Sequence, residues 1–298
     1  MFDKNKNKIV VTGGSGFVGS NTIKALQGLG YKTFNFDIKE GWDIRNFSQL
    51  IQIIEKGDKV LHLAAIARFA DADKNPLLTA STNEKGTEYV ASASIHKGAE
   101  RLVYSSTGSV YMPIDQEPPI TEEFKASGNS QYAVSKYRGE LIIKDECQSI
   151  IASIVGYMPY IILRYAHLYG EGKIGHGAIG GFIDRMERGL APILYGGGQS
   201  NDFTYIKDIV QANILALEAP KKALNQIYNI GTGEELTTEG VFQTLSDIFN
   251  YHKEFERLPL RTVDPMRFVY DISKAKKLLK YHPAYNFRDG MTDWYGKR

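Results

Sequence analysis

Lys8 to Thr12 (Lys-Ile-Val-Val-Thr) is a short β-branched run behind a polar stretch, the composition of a buried strand. Apolar positions at Phe17, Val18, Ile23 and Leu26 then repeat with helical spacing and stop at Gly28-Leu29-Gly30. The run Lys32 to Phe36 predicts a second strand, ending at Asp37. The pattern next predicts a helix near Phe47 to Glu55, a strand over Lys59 to Leu63 and a long helix from about Pro76 to Lys97. A strand over Arg101 to Ser105 leads into a polar loop with Pro113, Pro118 and Pro119. A helix over about Gln131 to Ile154 and a strand over Tyr160 to Arg164 follow. Such alternation implies an α/β protein with a doubly wound parallel sheet and ligands at the carboxyl ends of its strands. Beyond Gly170 the texture changes to glycine-rich loops (Gly170 to Gly181, Gly196-Gly197-Gly198) with shorter elements. This predicts a smaller, interleaved C-terminal substrate-binding lobe. Residues 1–170 are then the cofactor domain, with 203–231 contributing elements back to it, and 171–202 with 232–298 form the lobe.

Between the first strand and the first helix stands Gly13-Gly14-Ser15-Gly16-Phe17-Val18-Gly19. Strand, glycine turn and helix together form a dinucleotide-binding opening of the Rossmann kind. Glycine permits the tight turn, lets backbone N–H groups approach a pyrophosphate and lets the helix pack close to the strand. The helix N-terminus adds partial positive charge for the phosphates. The run fits both G-x-G-x-x-G (Gly14, Gly16, Gly19) and G-x-x-G-x-x-G (Gly13, Gly16, Gly19), and the sequence leaves both open. Asp37, about 20 residues beyond the turn, is placed to accept from the adenosine ribose hydroxyls and to repel a 2′-phosphate. NAD is therefore favoured over NADP, with Lys39 softening the preference.

The chain of 298 residues, 43% of them hydrophobic, is long enough to bury a substantial core. A net charge of +2 with mixed signs gives no electrostatic footprint for nucleic acid or a membrane surface. The polar N-terminus and the lack of a long apolar run predict neither a signal peptide nor a membrane span. The single Cys147 fits a reducing cytoplasm, and the six histidines show no zinc spacing, so no metal is expected.

Tyr132-Ala-Val-Ser-Lys136 places a phenol and an ammonium one helical turn apart on the same face. A free phenol has a pKa of about 10 and is a poor base at neutral pH. Bringing it near 7 needs roughly 4 kcal/mol of differential stabilisation. One cation about 4 Å away supplies at most about that much at an effective dielectric near 20, before desolvation subtracts. Lys136 together with an oxidised, positively charged nicotinamide suffices on this reckoning.

These residues together resemble the extended short-chain dehydrogenase/reductases, in particular the NAD-dependent nucleotide-sugar epimerase/dehydratase group. The pieces that match run from about Lys8 to Tyr295: Thr12 to Gly19, Asp43-Ile44-Arg45, His62-Leu63-Ala64-Ala65, Asn83 with Gly86-Thr87, and Ser105-Ser106-Thr107 before Val110-Tyr111. They continue with Tyr132 and Lys136, Leu163-Arg164-Tyr165 with Tyr169-Gly170, Asp202-Phe203 with Asp208, Asn229-Ile230-Gly231, and Asp271 with Ser273-Lys274-Ala275. The resemblance implies that Gly13, Gly16, Phe17, Val18 and Gly19 bind NAD with Asp37, that Asp43 and Ile44 lie at its adenine, and that Leu63, Ala64, Ala65, Asn83, Ser105 and Ser106 lie along it. Lys136 would bond the nicotinamide ribose while facing Tyr132, and Thr107 would hydrogen-bond the substrate oxygen, making Thr107, Tyr132 and Lys136 the catalytic set.

Dehydratases similar to this chain carry an Asp or Glu after the Ser/Thr region, whereas Gly108 and Ser109 stand here. Elimination is thereby disfavoured, and Ser-Ser-Thr-x-x-Val-Tyr looks more like the 4-epimerases, with a UDP-hexose as substrate. His167 and Asn201 occupy positions where the group usually has Asn and Arg facing the sugar diphosphate, and a lost Arg removes a bidentate clamp. Arg261 and Asp264 keep the R-x-x-D spacing found near the nucleotide, and Arg267 is a substitute diphosphate partner. His167 reads either as a substrate contact or as a packed, hydrogen-bonded histidine. Two other readings stand beside the epimerase: a net NAD-dependent oxidoreductase of a sugar or small hydroxy compound, and a non-enzymatic NAD-binding regulator. The resemblance also implies a homodimer through the helices near Pro76 to Lys97 and Gln131 to Ile154.

Overall fold

The computed structural model describes residues 3–4, 6–114, 116–149, 157–171, 177–260 and 266–296. Five parallel strands come first: β1 (Ile9–Thr12), β2 (Thr33–Phe36), β3 (Lys59–His62), β4 (Arg101–Thr107) and β5 (Tyr160–Tyr165). Short strands follow, β6 (His167–Tyr169), β7 (Ile193–Tyr195), β8 (Ser200–Asn201) and β9 (Phe203–Tyr205), before β10 (Gln226–Ile230) returns to the sheet. The six strands lie in the order β10-β5-β4-β3-β1-β2, and each neighbouring pair is parallel. Every residue of β1, β3 and β5 is buried, as strands covered on both faces must be. Because β2 and β3 lie on opposite sides of β1, the winding reverses there, and the crevice opens at the carboxyl ends of β1 and β3.

Helices α1 (Phe17–Gly28), α2 (Phe47–Ile53), α3 (Phe69–Lys74), α4 (Pro76–Ala80), α5 (Gly86–Lys97) and α6 (Gln131–Cys147) belong to this half. The long helix expected over Pro76 to Lys97 is α4 and α5 joined by a π-turn at Ser81–Lys85, which carries Asn83. Helix α6 ends at Cys147, earlier than the expected Ile154, and residues 150–156 lie outside the described residues. Helix α3 was not expected; it follows the apolar Ala64-Ala65-Ile66-Ala67 run directly.

Helices α7 (Gly177–Glu187), α8 (Ile206–Leu217) and α9 (Thr238–Phe249) follow in the C-terminal half, with short strands β11 (Leu236–Thr237) before α9 and β12 (Glu256–Leu258) and β13 (Arg267–Phe268) after it. The order β11-β8-β13 forms a small sheet, and α10 (Ser273–Leu278) and α11 (Phe287–Tyr295) close the chain. The C-terminal aromatics pack within this half of the chain. Phe287 meets Tyr169 at 5.1 Å, Tyr285 meets Tyr205 at 4.9 Å, and the buried Tyr281 donates to the Gly231 carbonyl at 2.9 Å.

Candidate active site

A cavity of about 1010 Å³ opens along the carboxyl ends of β1 to β5. The glycine turn forms one wall, and its shape leaves no room for side chains. Gly13 has φ +70°, and a Cβ there would fall 2.7 Å from the Ala64 backbone. At Gly19 a Cβ would meet the Gly13 carbonyl oxygen at 2.3 Å, so α1 packs directly on the turn. Both conditions fit a cofactor whose pyrophosphate needs bare backbone at a helix N-terminus. Asp37, at the end of β2, also faces the cavity; its carboxylate accepts from the Ser15 N–H at 3.1 Å and the Lys39 N–H at 2.9 Å. It thus ties the turn to the following 3₁₀ segment while each oxygen keeps a lone pair for a further donor.

Gly16, Phe17, Val18, Asp43, Ile44, Leu63, Ala64 and Ala65 line the same cavity. Arg45, absent from the expected site residues, also lines it and bonds Asp43, with Nη2 to Oδ2 at 2.5 Å; that bond holds the Asp43 carboxyl below its ordinary range. His62 lies beneath the Leu63-Ala64-Ala65 strip, with Nδ1 2.7 Å from Thr12 Oγ1 and Nε2 2.9 Å from Thr87 Oγ1. Thr87 gives its proton to the Asn83 carbonyl, so the ring donates through Nε2 and accepts at Nδ1. Burial, with Lys136 nearby, pushes this imidazole down to about 3.

Tyr132, Lys136 and Thr107 converge at the other end of the cavity, with Ser105 and Ser106 beside them. Helix α6 approaches closely because residue 139 is glycine: a Cβ there would sit 2.1 Å from the Tyr104 hydroxyl. That approach sets Lys136 Nζ 4.2 Å over the Tyr104 ring. The Tyr132 ring meets Phe69 edge-on at 5.3 Å, a contact no spacing in the sequence announced.

Burial pushes the Tyr132 phenol up to about 12, with a Thr107 hydrogen bond pulling the other way. Burial pushes Lys136 down to about 7, opposed by the charge of Glu140. The amine therefore loses its proton before the phenol can, and the pair alone keeps Tyr132 protonated at neutral pH.

Three expected positions stand differently. Asn83 is buried off the cavity wall, its side chain exchanging hydrogen bonds with Ile66 (2.8 and 3.1 Å) and donating to Ser135 Oγ at 2.9 Å. It belongs to the π-turn at Ser81–Lys85. Asn201 is in β8, paired with Leu236 and Phe268, and is also off the wall. His167 does line the cavity, its ring edge-on to Phe268 at 5.3 Å. Arg261 and Asp264 lie outside the described residues. Arg267, the substitute diphosphate partner, is turned to carboxylates: Nε and Nη2 reach Glu235 at 2.8 Å each and Nη1 reaches Glu117 at 3.2 Å.

A parallel sheet winding both ways from β1, with a glycine turn and a Tyr–Lys pair on one cavity, defines a nucleotide-cofactor enzyme of the extended short-chain dehydrogenase/reductase type. Residues 9–231 match the model of the NAD dependent epimerase/dehydratase family, and the chain belongs to that family. It is 30% identical to a UDP-glucuronate 4-epimerase of Thermodesulfobacterium geofontis, over 84% of this chain and 75% of that one. It is 27% identical to a UDP-N-acetyl-alpha-D-glucosaminuronate decarboxylase of Bacillus cytotoxicus, over 97% and 96% of the two chains. Among solved structures, the UDP-glucose 4-epimerase of Thermotoga maritima with UDP-glucose superposes with a TM-score of 0.86, at 29% identity over 97% of this chain and 99% of that one.

Proposed function

We propose that the protein is an NAD-dependent UDP-hexose 4-epimerase in which Tyr132 is the base. The observation that carries the reading is the meeting of Thr107, Tyr132 and Lys136 on the cavity that the glycine turn also lines. When bound, NAD supplies the hydride acceptor and returns the hydride to the same carbon. The turn and α1 would hold its pyrophosphate, Asp37 its adenosine ribose, and Lys136 the ribose next to the nicotinamide. Tyr132 takes the C4 hydroxyl proton as the hydride leaves that carbon, and Thr107 orients the same oxygen. On return, Tyr132 gives the proton back as hydride reaches the opposite face of the ketone, so the reaction is redox-neutral. Epimerisation needs a sugar that can turn over, and Phe69, Met112, Leu168, Ile179, Phe203 and Phe268 offer that end of the cavity mainly apolar surface.

Among the described residues, elimination finds no support in the carboxylates on this wall. Asp37 and Asp43 are cavity-lining, but Asp37 ends β2, three strands from β4, roughly 14 Å at about 4.8 Å per strand. The homodimer is part of the proposal: Leu77 on α4 and Leu141 on α6 are exposed, and Arg138 reaches from α6 to Glu84 at 3.3 Å across the two helices. Light scattering would report its mass.

The test is interconversion of UDP-glucose and UDP-galactose by NAD-loaded enzyme, followed by NMR of the product at C4, with no net NADH formed. Tyr132→Phe should abolish turnover and leave NAD binding intact. Stoichiometric NADH release would replace the epimerase with a net oxidoreductase; turnover within tenfold of wild type in Tyr132→Phe would remove Tyr132 as the base.

A further inference from the structure

Helix α6 carries a third functional-face residue one turn beyond Lys136. Glu140 is fully buried, and a carboxylate in that position is tolerated only when its oxygens are bonded and its charge is paired. Oε1 accepts from Ser106 Oγ at 2.5 Å and from Arg164 Nε at 2.8 Å, while Oε2 accepts from Arg164 Nη2 at 2.6 Å. Ser106 immediately precedes Thr107 on β4, and Arg164 is its register partner on β5. The same guanidinium donates through Nη1 to the Tyr111 hydroxyl at 2.8 Å. Tyr111 closes the 3₁₀ turn that follows Thr107, so the segment holding Thr107 is fixed on both sides by one ion pair.

The connection runs further. Tyr111 donates to Asn229 Oδ1 at 2.7 Å, and Asn229 Nδ2 donates to the Ile120 carbonyl at 2.9 Å. Ile120 bridges to Tyr270, beside β13. An apolar plug of similar size would fill this space without burying two charges, and such replacements are often neutral or stabilising. The charged pair therefore supplies something that packing alone does not.

We propose that Glu140 is a positioning residue: clamped by Ser106 and Arg164, it fixes the helix bearing Tyr132 and Lys136 against the strand bearing Thr107. The inference rests on the reading of those three groups as the reacting set. It has a second consequence, through charge. Among the described residues, the titratable or charged groups facing Lys136 are Tyr132 and Glu140 on its own helix, Tyr104 on β4 and the neutral His62 on β3. Of these, Glu140 favours the ammonium.

Three variants of the NAD-loaded enzyme separate position from charge. Glu140→Gln keeps the shape and loses the charge; kcat for UDP-glucose should fall roughly tenfold or more with KM within about threefold. With NAD bound, the charged nicotinamide would bring the phenol into the range where Lys136 still holds its proton, so Tyr132 ionisation, followed at 295 nm with Tyr132→Phe as the blank, should move to higher pH when the loss of Glu140 lets Lys136 surrender its proton sooner. Glu140→Asp keeps the charge but is one methylene too short to hold Ser106 and Arg164 together, so kcat should fall while the ionisation stays in place. Ser106→Ala leaves the ion pair and should lower kcat a few-fold with the ionisation unmoved. A Glu140→Gln enzyme that binds NAD, turns over within twofold of wild type and titrates unchanged overturns the proposal, as does a loss of thermal stability alone. Should Glu140→Gln fail to fold, turnover within twofold of wild type in both Ser106→Ala and Glu140→Asp overturns it. The 295 nm titration needs no sugar, so it decides the role of Glu140 even if wild-type enzyme leaves UDP-glucose unchanged.

Discussion

Replacing Lys136 with methionine should stabilise the cofactor-free protein while destroying its catalytic function. The amine is buried and its pKa is pushed from 10.5 down to about 7. At about 1.4 kcal/mol per pH unit, that displacement makes burial of the ammonium cost about 4–5 kcal/mol below pH 7. The contact of Nζ with the Tyr104 ring at 4.2 Å, which methionine loses, offsets about 1–2 kcal/mol of this. The net gain for Lys136→Met is then about 3 kcal/mol at pH 6.5. The sign of the pH dependence follows from the direction of the shift. The folded pKa lies below the unfolded one, so the unfolded chain binds the proton more tightly, and wild-type stability rises as pH goes from about 7 to about 10.5. By pH 9.5 the gap between the two proteins should shrink to about 1 kcal/mol. Urea unfolding of both proteins without added nucleotide, at pH 6.5 and 9.5, measures both gaps. A Lys136→Met protein no more stable than wild type at pH 6.5, or a gap that is the same at both pH values, would refute the reasoning.

The other predictions concern the cofactor end and the strand that supports it. His62 is neutral in the fold with its pKa lowered from 6.5 to about 3, so the stability it contributes is complete above pH 6.5 and is lost as pH falls toward 3. His62→Gln should flatten that acid limb in urea unfolding between pH 6.5 and 4, and an unchanged limb would contradict the buried neutral ring. Gly19→Ala places a methyl 2.3 Å from the Gly13 carbonyl oxygen, so the turn must shift. The thermal shift on adding NAD, about 2.7 kcal/mol of stabilisation at one hundred times the Kd, should then disappear; a retained shift would count against the turn as the pyrophosphate site. Asp37→Ala should weaken NAD and relax the exclusion of NADP, and an unaltered ratio of their dissociation constants would remove Asp37 from the ribose.

Sequence reasoning worked where the chemistry is local and failed where it depends on what the chain brings from elsewhere. The glycine turn, Asp37 and the Tyr132–Lys136 pair were legible because each is set by a strand end, a tight turn or the helical repeat, all encoded within a few residues. The alternation of strands and helices likewise pointed to a parallel, doubly wound sheet, and five of its six strands were read from it. Asn83 sits in the π-turn at Ser81–Lys85 with its side chain bonded to Ile66 and Ser135, and that turn was not legible because one extra residue in a helical turn leaves no mark in the hydrophobic pattern. Phe69 reaches Tyr132 from a short helix whose apolar spacing is too brief to be read. Glu140 is the instructive omission. The spacing of four that joins Tyr132 to Lys136 also joins Lys136 to Glu140, and the same helical argument puts all three on one face. A charged residue on the face that meets the sheet signals either a mistaken helix or a buried partner. Arg164, in a strand whose other positions are apolar or aromatic, was that partner. A carboxylate on the inner face of one element and a guanidinium inside another constrain each other, because each excludes every arrangement in which the other stays unpaired.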